Sequence, residues 1–262
     1  MTTDSSRPFT WPDGRQFAIS LTFDDGMRSQ LDVAVPRLEE RGFCGTFYLN
    51  PRGDGWLDAL APWQPVQAAG HEIGNHTMAH PCSLNTDPNL LSWTLDMIEE
   101  DVRETQRRLD LAFPGQGARS FAYPCYESDV GRGATRQSYT PVIARYFPAA
   151  RAKGLSDRGN HPLHADLHHL SSWGAERMPY WELIGLVERC AVEGWWGIFT
   201  FHGVNQGHLP IAEHDLCTLL DHLARNRERV WVGTVVEVAT HVQTATQDGE
   251  TTDDGRPTED EG

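Results

Sequence analysis

The sequence has no apolar run long enough to span a bilayer, and residues 1–12 lack the basic start and apolar centre of a secretory signal. These absences predict a cytoplasmic protein that does not enter a membrane. No glycine-rich phosphate loop of either common spacing occurs, so a nucleotide cofactor is not expected. No internal repeat is visible, which argues against a solenoid or a propeller.

Positive charge is scarce, since 22 lysine and arginine residues face 37 aspartate and glutamate residues, for a formal net charge of −15. The resulting field opposes binding to nucleic acid or to an anionic membrane surface. Part of the acidity lies in residues 244–262, where seven acidic residues accompany Arg256 and no aromatic residue occurs. Such a segment buries too little surface to offset the entropy of ordering. We predict one folded domain at residues 1–243 and a disordered acidic tail at 244–262.

Cysteine usage is sparse and irregular. The five cysteines are an odd number, and no C-x-x-C pair occurs among them. This usage predicts reduced thiols instead of a disulfide framework. The five residues are Cys44, Cys82, Cys125, Cys190 and Cys217.

The chain does contain a regular alternation of short β-rich runs with helical patterns. The run at 17–23 precedes a helical pattern at 31–41, and the run at 45–49 precedes one at 56–69. The alternation continues to a last strand-like run at 230–235. Repeated βαβ units of this kind predict a mainly parallel α/β sheet, which the pattern alone leaves either closed into a barrel or open.

Residues with catalytic or metal-binding side chains follow the ends of the predicted strands. Asp24 and Asp25 follow the first predicted strand, His76 follows the third, and His202 follows a late one. Active sites of parallel α/β folds gather at the carboxyl ends of the strands. We therefore expect these side chains to lie at one end of the sheet.

The segment H-T-M-A-H at 76–80 places two histidines four residues apart. Position 77 is Thr, where the metalloprotease motif H-E-x-x-H has its general base, so the base must come from elsewhere. Adjacent Asp24 and Asp25 diverge in extended backbone, so one can bind an ion while the other stays free. Two histidines and one aspartate leave a coordination position for water, as in catalytic zinc sites. The set predicts a metal-dependent hydrolase in which the free carboxylate takes a proton from the metal-activated water.

Three motifs resemble those of the polysaccharide deacetylases of the NodB-homology type, carbohydrate esterase family 4. T-F-D-D-G stands at 22–26, the H-[ST]-x-x-H motif at 76–80, and the late histidine motif T-F-H-G at 200–203, in the family's order. The resemblance implies a distorted (β/α) barrel. It also implies hydrolysis of N-linked or O-linked acetyl groups, with an acetylated oligosaccharide or polysaccharide as the substrate.

Carried over residue by residue, the resemblance implies that Asp24 is the general base and that His202 is the general acid. It also implies that Asp25, His76 and His80 are the ligands of a divalent metal ion. Zn²⁺ is the first expectation for this ion, and Co²⁺ or Ni²⁺ are alternatives.

The sequence departs from the family at the third motif, usually R-x-P-Y, whose arginine orients the catalytic aspartate. This chain has A-Y-P-C at 122–125, and Ala122 cannot form that ion pair. Either another cation takes over or Asp24 has a different environment. The candidate cations are Arg28, Arg119 and Arg177.

Two further sets of residues have weaker patterns. Asp166 and Trp173 are weak counterparts of the family's fourth motif, an Asp and Trp pair that tunes the acid histidine. Four histidines at 161, 164, 168 and 169 lie without a flanking strand end, which predicts a surface loop instead of a second metal site.

Two other functions stay open at this point. A small-amide hydrolase of the same fold, similar to allantoinase, would use the same metal. A catalytically inactive glycan-binding protein that retains the metal would explain the missing arginine at Ala122. The sequence leaves open which glycan is used, which acetyl linkage is cleaved and which oligomeric state forms.

Overall fold

The computed structural model describes residues 9–154 and 157–250. Within these residues the strands and helices alternate along the chain, as the sequence predicts. The strands are β1 (Phe17–Asp24), β2 (Thr46–Leu49), β3 (Glu72–Asn75), β4 (Phe121–Ala122), β5 (Asp129–Val130), β6 (Gln137–Ser138), β7 (Ala150–Arg151), β8 (Trp173–Gly174), β9 (Trp196–Phe201), β10 (Gly203–Val204), β11 (Pro210–Ile211) and β12 (Val230–Val232). The helices are α1 (Val35–Glu39), α2 (Trp56–Leu60), α3 (Gln64–Ala68), α4 (Leu95–Ala112), α5 (Thr140–Ile143), α6 (Tyr180–Glu193), α7 (Glu213–Arg225) and α8 (Val235–Glu250).

The main sheet is parallel, with the strand order β7-β4-β3-β2-β1-β9-β8. Every residue of β1 is buried, which explains why its sequence is nearly continuously apolar instead of alternating. Two strands share one edge of β1, because β12 pairs with its first residues and β2 pairs with its last. This sharing distorts the sheet relative to a regular barrel.

The two outer strands of the main sheet are joined by a seam, which we define as residues 150–154 and 170–172. Ala152 N donates to Leu170 O at 2.7 Å, and Gly154 N donates to Ser172 O at 3.1 Å. The second segment of the seam leads directly into β8, so the sheet curls back on itself. The predicted α/β fold, a distorted (β/α) barrel, is confirmed.

The apolar core lies between the sheet and the helices that cover it. Phe23 stacks on Phe47 and Phe201, with ring centroids 4.9 and 5.1 Å away. Helix α4 buries one face, and its first turn is capped by the Thr94 hydroxyl, which accepts from Met97 N. The barrel interior also contains buried charged side chains, among them Asp24 and Arg151. Because burying an unpaired charge is costly, such side chains need hydrogen-bond or ion-pair partners.

Two element boundaries differ from the sequence-based expectation. The helical pattern at 56–69 is divided into α2 and α3 by a 3₁₀ turn at Ala61–Trp63, beside two prolines. Helix α8 continues to Glu250, past the predicted domain boundary at residue 243. The rest of the predicted tail lies outside the described residues, so the division of the chain stays a prediction. No helix in the described part of the chain is long and apolar enough to cross a membrane.

Candidate metal and catalytic site

The predicted site residues meet at the carboxyl ends of the parallel strands, which we call the barrel mouth. Asp24 ends β1 and Asp25 follows it, His76 follows β3, and His202 follows β9. Since β1 pairs with β9 on one side and with β2 on the other, these ends lie side by side. The prediction that the side chains share one end of the sheet is confirmed.

Asp25, His76 and His80 form a compact group of possible metal ligands. Their ligand atoms all lie within 4.8 Å of one another. The Asp25 Oδ1 atom is 3.8 Å from His76 Nε2 and 3.6 Å from His80 Nε2. No second group of three such side chains occurs among residues 9–154 and 157–250. The three residues could therefore hold one ion.

The imidazole of His76 is fixed in the orientation that a metal ligand needs. Its Nδ1 atom lies 2.8 Å from Ala122 O, and because a carbonyl can only accept, the proton is on Nδ1. The lone pair of Nε2 then faces Asp25. Burial lowers the pKa of His76, so the ring stays neutral. The position where the family has an arginine thus supplies a backbone carbonyl that orients a ligand.

The loop that carries both histidines is held in an unusual conformation. Thr77 and His80 have φ values of 57° and 52°, in the left-handed region that side chains rarely adopt. The Asp101 carboxylate accepts from Met78 N at 2.6 Å and from Ala79 N at 2.8 Å. Burial, followed by the neighbouring His76, lowers the pKa of His80 to about 4. The loop therefore presents a second neutral imidazole beside the first.

Asp24 is paired with a buried arginine that sequence analysis did not identify. Arg151 Nη2 lies 2.6 Å from Asp24 Oδ2, and both side chains are almost fully buried. Arg151 also donates from Nη1 to Thr200 Oγ1 at 2.8 Å. Its guanidinium lies over the rings of Tyr48 and Tyr126, at 5.2 and 5.3 Å from their centroids. The Nη atoms and the faces of the guanidinium are therefore held, whereas its buried Nε atom has no hydrogen-bond partner in the structure.

The charges around Asp24 determine its protonation. Burial alone raises the pKa of this carboxyl, but the charge and the hydrogen bond of Arg151 hold the pKa below its ordinary value. The carboxylate is therefore ionised at neutral pH. Its Oδ1 atom is buried without a hydrogen-bond partner in the structure.

The prediction that Arg28, Arg119 or Arg177 replaces the missing arginine is wrong. None of the three candidate cations pairs with Asp24. Arg28 pairs with Asp32, Arg177 donates to His208 O, and Arg119 donates to Ile73 O. The cation comes instead from β7, a two-residue strand whose sequence has no pattern that would identify it.

His202 lies at the barrel mouth next to the Asp24 strand end. Gln30 Nε2 donates to His202 O at 3.0 Å and to Asp24 O at 2.5 Å, so one side chain joins the two strand ends. The Nδ1 atom of His202 is buried and has no hydrogen-bond partner in the structure. The residue as a whole is half-buried at the mouth.

The weak fourth-motif candidates do not lie at the barrel mouth. Asp166 is exposed at the start of the segment beside β7, and Trp173 packs in the core against Phe199 at 5.1 Å. The carboxylate that follows β8 at the mouth is Glu176, whose Oε2 atom is buried without a partner. Its position two residues after a two-residue strand gave no signal in the sequence.

Comparison with known proteins agrees with this geometry. The family model described as polysaccharide deacetylase matches residues 12–140, a segment that contains β1, the histidine loop and β4. Residues 12–140 belong to the polysaccharide deacetylase family. The match ends before β7, so it does not include Arg151 or His202.

Two curated proteins are similar to this chain over part of their length. A chitin deacetylase of Colletotrichum lindemuthianum is 33% identical over 99 residues, which cover 35% of this chain and 37% of that protein. A chitooligosaccharide deacetylase of Rhizobium leguminosarum bv. phaseoli is 32% identical over 107 residues, 38% of this chain and 41% of that protein. The chain thus matches about two-fifths of the length of these curated relatives.

Solved structures show the same fold over nearly the whole chain. A candidate polysaccharide deacetylase of Mycobacterium smegmatis superposes with a TM-score of 0.65 and 16% identity, covering 90% of this chain and 93% of that one. A family 4 acetyl xylan esterase of Clostridium thermocellum in complex with a cobalt ion gives a TM-score of 0.51 and 19% identity, covering 85% and 90%. Identities this low establish the fold and nothing more.

Two cysteines of the chain contradict the prediction of reduced thiols. Cys82 and Cys125 form a disulfide across 43 residues, whereas Cys44, Cys190 and Cys217 are free. The count and spacing of cysteines did not indicate the bond, because it depends on the loops after β3 and β4 being neighbours. The disulfide joins the histidine loop to the turn after β4.

The remaining sequence candidates lie outside the candidate site. His161 stacks on His164 at 4.4 Å, and His168 Nε2 contacts Phe147 O at 2.9 Å. Residues 161–169 form turns between β7 and β8, so the predicted loop is confirmed.

Proposed function

We propose that the protein is a metal-dependent hydrolase that removes N-linked or O-linked acetyl groups from an acetylated oligosaccharide or polysaccharide. The observation that carries this proposal is the group of Asp25, His76 and His80 beside an ionised, arginine-paired Asp24. A ligand group and a separate buried carboxylate are what hydrolysis by a bound metal ion requires.

Asp25, His76 and His80 would hold a divalent ion. Two neutral imidazoles and one carboxylate suit Zn²⁺ with an open position, and Co²⁺ or Ni²⁺ would also be accepted. When bound, the ion lowers the pKa of a water molecule and polarises a carbonyl oxygen. A protein of the same fold, the acetyl xylan esterase, has been solved in complex with a cobalt ion.

Asp24 would act as the general base. Arg151 keeps the carboxylate ionised and fixes its orientation, so that a proton can be accepted at neutral pH. His202 would give a proton to the leaving nitrogen or oxygen of the sugar. Gln30 holds the strand ends of Asp24 and His202 together, which sets the spacing of the two groups.

A stabiliser for the developing negative charge on the acyl oxygen is also needed. A backbone N–H at the turn of Pro124 and Cys125, beside β4, would supply it. One such donor contributes about 2.7 to 4 kcal/mol to transition-state binding. The disulfide of Cys125 to Cys82 would keep this turn in register with the histidine loop.

The test is acetate release by Zn²⁺-loaded or Co²⁺-loaded protein from acetylated chitooligosaccharides, peptidoglycan fragments and acetylated xylan, with a chelated control. We expect chelator-sensitive release from at least one of them. Asp24→Asn should abolish release while the protein still binds one metal ion. Release that is unchanged by Asp24→Asn would contradict the assigned base.

The alternative functions are separated by adding non-sugar amides to the same assay. The inactive glycan-binding protein was suggested by the missing arginine at Ala122, and Arg151 removes that reason. A small-amide hydrolase predicts release from non-sugar amides and none from the glycan panel. The proposal therefore predicts the opposite pattern.

A further inference from the structure

The contacts of Arg151 at the barrel mouth leave one freedom of movement that only its neighbours can remove. Nη2 meets Asp24 Oδ2 at 2.6 Å, and Nη1 meets Thr200 Oγ1 at 2.8 Å. The Nε atom of Arg151 is buried without a hydrogen-bond partner. The planar guanidinium could therefore tilt about the line through its two Nη contacts unless its faces were covered. Such a tilt would change the orientation of the Asp24 carboxylate.

Two tyrosine rings cover the guanidinium, and they are anchored differently. The Cζ atom of Arg151 lies 5.2 Å from the ring centroid of Tyr48 and 5.3 Å from that of Tyr126. Tyr48 is fully buried in β2, and its hydroxyl is joined to Ser120 Oγ at 2.7 Å. Tyr126 is half-buried on the turn after β4, and its buried hydroxyl has no hydrogen-bond partner. Tyr126 is therefore the cover on the solvent side of Arg151.

The turn that carries Tyr126 has a backbone that side chains rarely adopt. Cys125 and Tyr126 have φ values of 51° and 60°, in the left-handed region. Two cross-links to the segment after the histidine loop flank Tyr126. Cys125 forms the disulfide with Cys82, and the Glu127 carboxylate accepts from Ser83 N at 2.7 Å. Backbone of this kind persists only where its surroundings enforce it, and it is concentrated at functional sites. The cross-links thus fix the place of the Tyr126 ring.

We propose that Tyr126 is a positioning residue, whose ring covers the outer face of Arg151 and thereby holds Asp24 in the orientation of a base. This inference rests on the proposed function and adds a residue to it. Without the ring, water would reach the guanidinium and weaken its attraction to Asp24, because the local dielectric constant would rise. The contact of a guanidinium with a ring corresponds to about a 2- to 30-fold change in a rate or an equilibrium constant.

The first test compares Tyr126→Leu, which removes the aromatic face, with Tyr126→Phe, which keeps it. The kcat and KM of Zn²⁺-loaded protein are measured on the acetylated fragment that the parent cleaves, per mole of folded protein. We expect kcat of Tyr126→Leu to fall by about 2- to 30-fold with an unchanged KM. Tyr126→Phe should keep the parent kcat, because the lost hydroxyl has no hydrogen-bond partner. Equal kcat values in all three proteins, or equal losses in both variants, would overturn the proposal.

Tyr146 provides the matched control. Its ring centroid lies 5.8 Å from the Cζ atom of Arg145, but both residues are exposed and neither follows a strand of the barrel mouth. Tyr146→Leu and Tyr146→Phe should both keep the parent kcat. A loss in Tyr146→Leu as large as that in Tyr126→Leu would contradict a role specific to Arg151.

A measurement without turnover keeps this inference separate from the proposed function. NMR of Zn²⁺-loaded protein with isotope-labelled arginine follows exchange of the Arg151 Nε hydrogen with water, and Arg151→Met identifies its signal. A buried hydrogen exchanges only when its cover opens. We expect exchange to become about 2- to 30-fold faster in Tyr126→Leu and to stay unchanged in Tyr126→Phe. The buried Arg119 is the internal reference and should not change.

The two measurements fail in different ways. If the parent releases no acetate from any fragment, the proposed function fails. Faster exchange of Arg151 alone in Tyr126→Leu would then still support the cover. An Arg151 exchange rate that is the same in the parent and in Tyr126→Leu would contradict the cover, whether or not acetate is released.

Discussion

Removing Arg151 should destabilise the protein because it leaves a buried charge without its partner. Asp24 is 3% exposed and Arg151 is 0% exposed, so water cannot replace the lost contact. Removing one partner of a buried ion pair lowers the free energy of unfolding by about 3 to 5 kcal/mol. For a chain of this size, that corresponds to a fall of roughly 6 to 20 °C in Tm for Arg151→Met. The free energy of unfolding of a domain is about 5 to 15 kcal/mol, so the variant should still fold.

The decisive comparison is a double-mutant cycle. Asp24→Asn removes the charge that Arg151 balances, so the Asp24→Asn/Arg151→Met protein should lose less stability than the sum of the two single variants. Urea unfolding of metal-free, oxidised protein measures all four free energies of unfolding. Arg119→Met is the matched control, because Arg119 is also buried but donates chiefly to backbone carbonyls such as Ile73 O. Its effect should add to that of Asp24→Asn, and additivity in the Arg151 cycle as well would refute the reasoning.

Three further predictions concern the ligands, the disulfide and the packing of the barrel interior. His76→Ala and His80→Ala should lose bound Zn²⁺, measured by elemental analysis, whereas Asp24→Asn keeps it; full metal content in both histidine variants would contradict the ligand assignment. Cys82→Ser/Cys125→Ser should lower the free energy of unfolding by about 4 kcal/mol from its 43-residue loop, and a loss no larger than that of Cys44→Ser/Cys217→Ser would argue against this estimate. Gly74→Ala should cost about 1 to 3 kcal/mol in thermal unfolding, because an added Cβ would lie 2.4 Å from the Tyr48 ring; unchanged stability would show that the ring can shift.

Features that are encoded in short, contiguous stretches of the sequence could be predicted. The buried run of β1 followed by Asp24 and Asp25, and the two histidines in one short loop, are contiguous signals whose positions follow from the parallel topology. The type of fold and the ligand group could therefore be predicted before any coordinates were known.

Features that depend on distant segments could not be predicted in this way. The Asp24 and Arg151 pair joins residues 127 positions apart, and its arginine lies in a strand of two residues. The disulfide between Cys82 and Cys125 depends on β3 and β4 being neighbours, which no spacing of cysteines reveals. Both were missed because the sequence contains the partners but not their proximity.

The seam that closes the barrel also carries Arg151, the partner of Asp24. Segment 150–154 is held to segment 170–172 by a short ladder, whereas β1 pairs with β9 over six residues. Short ladders open locally at lower free energy than long ones. The amides of Ala152 and Gly154 should therefore exchange with deuterium earlier than those of β1. Such openings would loosen one of the two segments that hold β7, so local motion of the barrel wall would reach the surroundings of the proposed base, while pairing with β4 still holds Arg151 in place.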